Sequence, residues 1–145
     1  MRLVIQRVRH AAVRVDDEIV GQCEHGMLIL VGVGQGDDES TAAWLAKKSA
    51  ELRMFADADD KMNLSIKDVG GSALAVSQFT LLADCQKGRR PAFTSAAPPD
   101  DADRIYRAFV DALRQQGVPT QTGVFAADMQ ITLLNDGPVT FVIDR

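Results

Sequence analysis

Apolar residues recur along the chain with two different spacings, and each spacing predicts a different kind of element. Short runs that alternate apolar and polar residues, or that are apolar throughout, are typical of strands. The runs at 27–33 and 73–82 are apolar on both sides, which favours strands buried on both faces. The predicted strands cover residues 3–8, 12–15, 18–22, 27–33, 62–66, 73–82, 129–134 and 139–143.

Two other stretches repeat their apolar residues at helical spacing. The first predicts a helix over residues 40–54, with an aspartate at 37–38 as its cap and Trp44 as a core anchor. The second predicts a helix that Asp100 caps and Gly117 ends. Its apolar stripe consists of Ala102, Ile105, Tyr106, Phe109, Ala112 and Leu113.

Two helices are too few to cover both faces of a large parallel sheet. The sequence therefore predicts an α/β fold with mixed, mostly antiparallel sheets and two main helices packed against them. With 145 residues, we expect a single domain that spans residues 1–145. Two turns are predicted to close hairpins, one at residues 16–17 and one at residues 135–138.

The composition restricts the class of protein. No apolar run is long enough to span a membrane, and the first residues lack the features of a signal peptide, so we expect a cytoplasmic protein. A net charge of −4 disfavours broad binding to nucleic acid, including DNA. It still permits a short single-stranded end to dock on the basic segment 86–90, which otherwise is a solvated turn. The two cysteines and two histidines lack metal-ligand spacing, so we predict no metal and no cofactor.

Polar side chains interrupt the run at 73–82. Ser77, Gln78 and Thr80 need hydrogen-bond partners there, because an unpaired buried polar group costs about 1–3 kcal/mol. Those partners are either the protein's own backbone or a ligand at the end of a strand. No standard catalytic group accompanies them, since neither histidine has the context of a Ser-His-Asp arrangement and Cys85 has no neighbouring base.

The segment 135–138 has a backbone that a ligand can approach closely. Gly137 has no side chain and Pro138 has no N–H, so the pair presents bare carbonyl groups beside a rigid ring. A turn between two strands explains the same residues without any ligand.

Six motifs lie in order over nearly the whole chain. They are Ile5-Gln6-Arg7-Val8, Lys61-Met62-Asn63-Leu64, Ser77-Gln78-Phe79-Thr80, Arg90-Pro91-x-Phe93, Thr120-Gln121-Thr122-Gly123-x-Phe125-Ala126-Ala127-Asp128-Met129 and Asn135-x-Gly137-Pro138-Val139-Thr140. Together they resemble the motifs of the D-aminoacyl-tRNA deacylase family. The resemblance implies that family's fold. It also implies hydrolysis of the ester between a D-amino acid and the 3′ acceptor end of tRNA, with rejection of L-aminoacyl-tRNA. Whether glycine mischarged on tRNA is also cleared is left open.

The resemblance also implies roles for individual residues. Ser77, Gln78, Phe79 and Thr80 line the catalytic pocket, and the N–H of Phe79 or Thr80 polarises the ester carbonyl. We interpret Thr80 as an orienting group rather than a nucleophile, because nothing in the sequence activates its hydroxyl. Gly137-Pro138, with a cis peptide bond, reads chirality in the neighbouring subunit's site, which implies a homodimer.

Further residues are assigned by the same resemblance. Arg7 braces the Gly-Pro element through its backbone. Phe125 and Met129 lie near the adenine or the substrate, with ordinary core packing as the alternative. Lys87, Arg89 and Arg90 contact phosphates of the tRNA end. Two other functions stay open: a tRNA-end-binding or editing module without hydrolase activity, and an esterase for small molecules.

Overall fold

The computed structural model describes residues 1–145, and it has the predicted fold class. Two α-helices pack against mixed β-sheets, and a short 3₁₀ helix follows the strand that ends at Ser77. The strands are β1 (Arg2–Val15), β2 (Glu18–Cys23), β3 (Gly26–Gly32), β4 (Phe55–Ala56), β5 (Met62–Leu64), β6 (Ser72–Ser77), β7 (Thr120–Thr122) and β8 (Gln130–Asp144). The helices are α1 (Glu39–Glu51), the 3₁₀ helix (Phe79–Leu82) and α2 (Pro99–Gln115).

The main sheet has six strands and is built around β1. Its order is β2-β1-β3-β6-β7, and β8 also pairs with β1. The pairs that include β1 are antiparallel, whereas β3–β6 and β6–β7 are parallel. Strand β1 is 14 residues long, so its first half pairs with β3 and its second half with β2, while β8 follows its other edge. Strands β4 and β5 form a separate small sheet.

The main sheet separates two apolar cores. The larger core lies between the sheet and the two helices, and β1 contributes Leu3 and Ile5 to it. The smaller core lies on the opposite face of the sheet and includes Val8 and Val13 of β1. Burial of these side chains stabilises the sheet by about 1.5–3 kcal/mol for each large aliphatic residue.

The last two predicted strands are one strand, so the predicted hairpin at residues 135–138 is wrong. Both halves of β8 run antiparallel to β1, with Asn135 opposite Val8 and Thr140 opposite Gln6. Arg7 alone therefore lies opposite residues 136–139, which we call the β8 insertion. Glycine and proline favour turns, but they also occur where a strand bulges out of its ladder, and that is their position here.

The predicted strand at 73–82 is too long. Strand β6 ends at Ser77, and the chain then enters the 3₁₀ helix. The Gln78 N–H donates to the Val31 carbonyl at 2.8 Å, which fixes the start of this turn against β3. A Cβ atom at Gly32 would lie 3.1 Å from the Leu81 Cβ, so the glycine lets the turn approach the strand.

The helices follow the prediction with three corrections, the first of which is that α1 ends at Glu51 and not at residue 54. Asp38 caps α1 by accepting from the Thr41 N–H at 2.8 Å, and this hydrogen bond lowers the pKa of Asp38 to about 2. Trp44 is not a core anchor: it is 43% exposed and lies under the Arg145 guanidinium, because α1 packs through small residues such as Ala42 and Ala46. Helix α2 begins at Pro99, so Asp100 lies in its first turn. Neither helix has the length and apolar character needed to cross a membrane.

Candidate functional site

A cleft of about 440 Å³ opens beside the end of β6. Three parts of the chain form its walls: the ends of β3 and β6, the segment that leads into α2, and the segment that leads into β8. The lining residues are Val33, Val76, Ser77, Gln78, Phe79, Ala96, Ala97, Pro99, Ala102, Phe125, Ala126, Ala127, Met129 and Ile131. The cleft is therefore mostly apolar, with polar groups only at the end of β6.

Small side chains leave the space for this cleft. Ala97 donates its N–H to the Val33 carbonyl at 3.0 Å, which holds the segment before α2 against the end of β3. Opposite this wall, Gly123 leaves room for Met129, because a Cβ atom at position 123 would lie only 2.6 Å from the Met129 sulfur. The alanines that line the cleft were missed by the sequence analysis as site residues. For Ala96 and Ala97 the signal was the proline-interrupted stretch 92–99, where short side chains and irregular backbone coincide.

The polar end of the cleft lies where β6 passes into the 3₁₀ helix. Ser77, Gln78 and Phe79 line it, whereas Thr80 is exposed and accepts a hydrogen bond from the Gln78 side-chain amide. Phe79 is 53% exposed and packs edge-on against Phe93 at 5.0 Å. The N–H groups of Phe79 and Thr80 have no partner within the 3₁₀ helix, as at the start of any helix. They can act as donors toward a bound oxygen atom.

No residue that lines the cleft has an ionisable side chain. His10 is exposed on β1, and the ring of His25 packs on Phe55 at 5.3 Å. Cys85 is exposed in a loop, and burial raises the pKa of Cys23, which lies in the smaller core, to about 11. No group of three His, Cys, Asp or Glu side chains is placed to bind a metal ion. The cleft therefore can position a reactant and donate hydrogen bonds, but it cannot supply a conventional base.

The β8 insertion lies outside the cleft of its own chain, since neither Gly137 nor Pro138 lines it. Arg7 Nε donates to the Asp136 carbonyl at 3.2 Å, and Arg7 Nη1 donates to the Met54 carbonyl at 2.8 Å. The Asp136 carboxylate pairs with Arg7 at 3.2 Å and with Arg9 at 2.8 Å. The peptide bond between Gly137 and Pro138 is cis.

A second residue, which the sequence analysis missed, closes the β8 insertion. The Asn135 side-chain amide donates to the Arg7 carbonyl at 2.9 Å and to the Val139 carbonyl at 3.0 Å. One side chain thereby connects the two ends of the insertion and the strand opposite. Asparagine beside glycine and proline indicated only a turn in the sequence, because its two acceptors become neighbours only once β8 pairs with β1.

The basic segment 86–90 forms an exposed loop, the basic loop, which also lies apart from the cleft. Lys87, Arg89 and Arg90 are exposed, and none of them lines the cleft. The loop is closed by backbone hydrogen bonds between Asp84 and Ala92 at 2.8 and 2.9 Å. It leads directly to Phe93, so its cations lie on the chain segment that adjoins Phe79.

Comparisons with known proteins agree over the whole chain. The model of the family described as D-Tyr-tRNA(Tyr) deacylase matches residues 4–144. A protein of Pelobacter propionicus named D-aminoacyl-tRNA deacylase is 59% identical over 145 residues, which is 100% of each chain.

Two solved structures are similar in fold. One is titled c-Myc DNA unwinding element binding protein; it has a TM-score of 0.93, is 34% identical, and the match covers 100% of this chain and 99% of that one. The other is titled as a probable eukaryotic D-amino acid tRNA deacylase; it has a TM-score of 0.82 at 16% identity, with 98% of each chain covered. At that identity the second match supports the fold alone.

Proposed function

The chain belongs to the D-Tyr-tRNA(Tyr) deacylase family, and on that premise we propose that it hydrolyses the ester bond of D-aminoacyl-tRNA and rejects L-aminoacyl-tRNA. The observation that carries this proposal is the cleft without ionisable side chains beside the free N–H groups of Phe79 and Thr80. Such a site suits an ester that is already reactive and needs mainly to be positioned. The products are a free D-amino acid and tRNA. The cleft has room for glycine as well, so glycine mischarged on tRNA is a second substrate to test.

The reaction needs an oxyanion site and a positioned water. The N–H of Phe79 or Thr80 donates to the ester carbonyl oxygen, on which negative charge develops when water attacks the carbonyl carbon. The bond from that carbon to the ribose oxygen then breaks, and the ribose oxygen leaves with a proton as a hydroxyl group. Thr80 acts as an orienting group through Gln78, because no base lies beside its hydroxyl. Ser77 completes the polar end of the cleft.

Chiral selection is assigned to the β8 insertion. Its bare carbonyl groups at Gly137 and Pro138 accept from the amino group of a D-substrate, whereas an L-side chain would collide with this backbone. Arg7 braces the insertion through the Asp136 carbonyl. Because the insertion lies outside its own chain's cleft, it can read a substrate only in the cleft of a second subunit.

Strand β8 supports the homodimer that this assignment requires. It pairs on one edge with β1 and leaves the other edge free, and such an edge favours association with another chain. Leu134 and Val142 on β8 are 52% and 62% exposed. Sedimentation at micromolar concentration should give twice the mass of 15.7 kDa for one chain. A monomer at that concentration would contradict the crossing of the insertion into a partner's cleft.

The rest of the tRNA end is assigned to the surroundings of the cleft. Phe125 and Met129 line the cleft and contact the terminal adenine or the amino acid. Lys87, Arg89 and Arg90 in the exposed loop contact phosphates. We place the reaction in the cytoplasm, where tRNA is charged, and assign it to one domain of residues 1–145.

The direct test compares D-tyrosyl-tRNA and L-tyrosyl-tRNA as substrates of the purified protein in the presence of EDTA. We expect rapid loss of the D-ester alone, without a requirement for metal. Loss of both esters would refute the selection by Gly137-Pro138 while leaving the deacylase activity. Loss of neither ester, with retained binding of tRNA, would favour a tRNA-end-binding or editing module.

A further inference from the structure

A second cleft, of about 350 Å³, adjoins the first and shares Phe125 with it. One wall is the face of α2 that carries Asp103, Arg107, Asp111 and Arg114. Residues three or four apart in a helix lie on the same face, so these four side chains form one stripe of alternating charge. The opposite wall is the segment that follows β7 and ends at Phe125.

Hydrogen bonds within the stripe leave specific donors and acceptors free. Arg107 Nε donates to both carboxylate oxygens of Asp103, at 3.0 and 2.9 Å, and its two terminal nitrogens have no partner. Arg114 is held by the Thr120 carbonyl at 3.2 and 3.1 Å and by Asp111 at 3.2 Å. The cleft therefore offers two unpaired N–H₂ groups of Arg107 next to a carboxylate that retains acceptor capacity.

The balance of charges in the second cleft indicates which class of ligand it can bind. Two carboxylates balance two guanidinium groups, so the cleft has no net attraction for a phosphate. A nucleobase whose edge carries both a donor and acceptors matches the stripe better. Cytosine has such an edge, with an amino group that a carboxylate can accept from and with ring acceptors for an arginine.

We propose that the second cleft binds the base of the cytidine that precedes the terminal adenosine of tRNA. This proposal rests on the function proposed above. Single-stranded RNA ends are recognised with their bases splayed apart into neighbouring pockets beside aromatic rings. The shared residue Phe125, whose ring centroid lies 6.2 Å from that of the buried Tyr106, is such an aromatic wall. The amino group of cytosine donates to Asp103, and its ring acceptors receive the terminal N–H groups of Arg107.

The test uses small substrates, so that the basic loop and the rest of tRNA do not contribute. The D-tyrosyl esters of adenosine, cytidylyl-adenosine and uridylyl-adenosine are compared with the full chain. The uridine ester carries the same phosphate as the cytidine ester but reverses the donor and acceptor pattern of the base edge. We expect KM for the cytidine ester to be about tenfold lower than for the other two, the contribution of one well-paired base edge.

Two variants and one control assign this preference to the second cleft. Arg107→Ala and Asp103→Ala should each remove the advantage of the cytidine ester and leave hydrolysis of the adenosine ester unchanged. Arg104→Ala is the matched control, because Arg104 lies on the same helix but pairs with Glu39 and Asp101. It should keep the full advantage of the cytidine ester.

Each other outcome is decisive. Equal KM values for all three esters would refute the proposal and leave the deacylase function intact. Equal gains for the cytidine and uridine esters would show that the phosphate alone is bound. A cytidine advantage that survives both variants would place the base elsewhere. Hydrolysis of none of the esters, and of no D-aminoacyl-tRNA either, would refute the proposed function itself.

Discussion

The cleft at the end of β6 and the β8 insertion achieve their shapes by opposite means. The cleft is lined mostly by apolar side chains, with Ser77, Gln78 and Phe79 at the end of β6 and with no ionisable side chain. The insertion is a stretch of exposed backbone that Arg7, Arg9, Asn135 and Asp136 hold in place through side-chain hydrogen bonds and ion pairs. One region uses packing to position backbone donors, and the other uses polar side chains to position backbone acceptors.

Because of this difference, the two regions should respond differently to replacement of their side chains. In the cleft, the groups assigned to chemistry are main-chain N–H groups, so replacing a polar side chain there should cost little. In the insertion, only Val139 packs against an apolar core, so loss of one hydrogen-bonded side chain should move the backbone. A displacement of about 1 Å at a reacting centre can cost about 100-fold in rate.

The largest effect is expected for Gly137→Ala. The backbone angle φ of Gly137 is +120°, and a Cβ atom there would lie 2.8 Å from Arg7 Nη2 and 2.9 Å from Val139 Cγ2. Alanine at this positive φ is strained, and Arg7 Nη2 and Val139 Cγ2 must also shift. We therefore expect the insertion to move and kcat/KM for D-tyrosyl-tRNA to fall about 100-fold.

Gly36→Ala is the control for this variant. Gly36 also has a positive φ, of +83°, but a Cβ atom there meets nothing within 4 Å. Its expected cost is about 1 kcal/mol in the free energy of unfolding, without loss of activity. Full activity of Gly137→Ala would show that the insertion does not act in catalysis.

Arg7→Lys should have the next largest effect. Arginine reaches two carbonyl groups at once, those of Asp136 and Met54, whereas a lysine can satisfy only one of them well. A carbonyl left without a partner costs about 1–3 kcal/mol, so we expect kcat/KM for the D-ester to fall about tenfold. Arg9→Lys is the control, since Arg9 is 63% exposed and contacts only the Asp136 carboxylate. Full activity of Arg7→Lys would mean that charge, which lysine keeps, and not the bonds to the backbone, holds the insertion.

A small effect is expected for Thr80→Ala. The Thr80 hydroxyl is exposed and its partner is the Gln78 amide, so it is not activated as a nucleophile. We expect a loss of at most about threefold in single-turnover rate, whereas removal of a true nucleophile costs about 10⁶-fold. Thr80→Ser keeps the hydroxyl and should be indistinguishable from wild type. A collapse of the rate in Thr80→Ala with rescue in Thr80→Ser would overturn the orienting role.

We expect no effect on activity from ionisation of the Cys23 thiol in the core beneath the cleft. Cys23 belongs to the smaller core with Val76, on which Met129 packs, and burial raises the pKa of its thiol to about 11. In the unfolded chain the thiol has a pKa of about 8.5. The unfolded state therefore loses this proton first, and the thiol's contribution to stability is complete below about pH 8.5 and is lost as pH rises toward 11.

Two measurements check this burial. In a Cys85→Ser background, Cys23 should react with iodoacetamide at pH 8 only after denaturation. Urea unfolding from pH 8 to pH 11 should show a decline in stability that Cys23→Ala reduces and Cys85→Ser does not, because Cys85 is exposed. Rapid labelling of native Cys23 would show that water reaches the core below the cleft.

Local patterns in the sequence determined much of the secondary structure of this protein. The apolar run at 27–33 became the buried strand β3, and the stripe from Ala102 to Leu113 became the buried face of α2. The turn at Asp16 and Asp17 formed as predicted, with positive φ at both residues. These features depend on the spacing of apolar residues and on turn propensity, which neighbours in the sequence decide.

Only the tertiary structure decided the rest. Whether residues 135–138 reverse the chain or bulge from it depends on whether both halves of β8 pair with the same strand, β1. That choice is a contact between the two ends of the chain. The same holds for the alanines that line the cleft and for Asn135, whose two acceptors lie 128 and 4 residues away. Sequence patterns report which residues avoid water, and long-range pairing decides which of them meet.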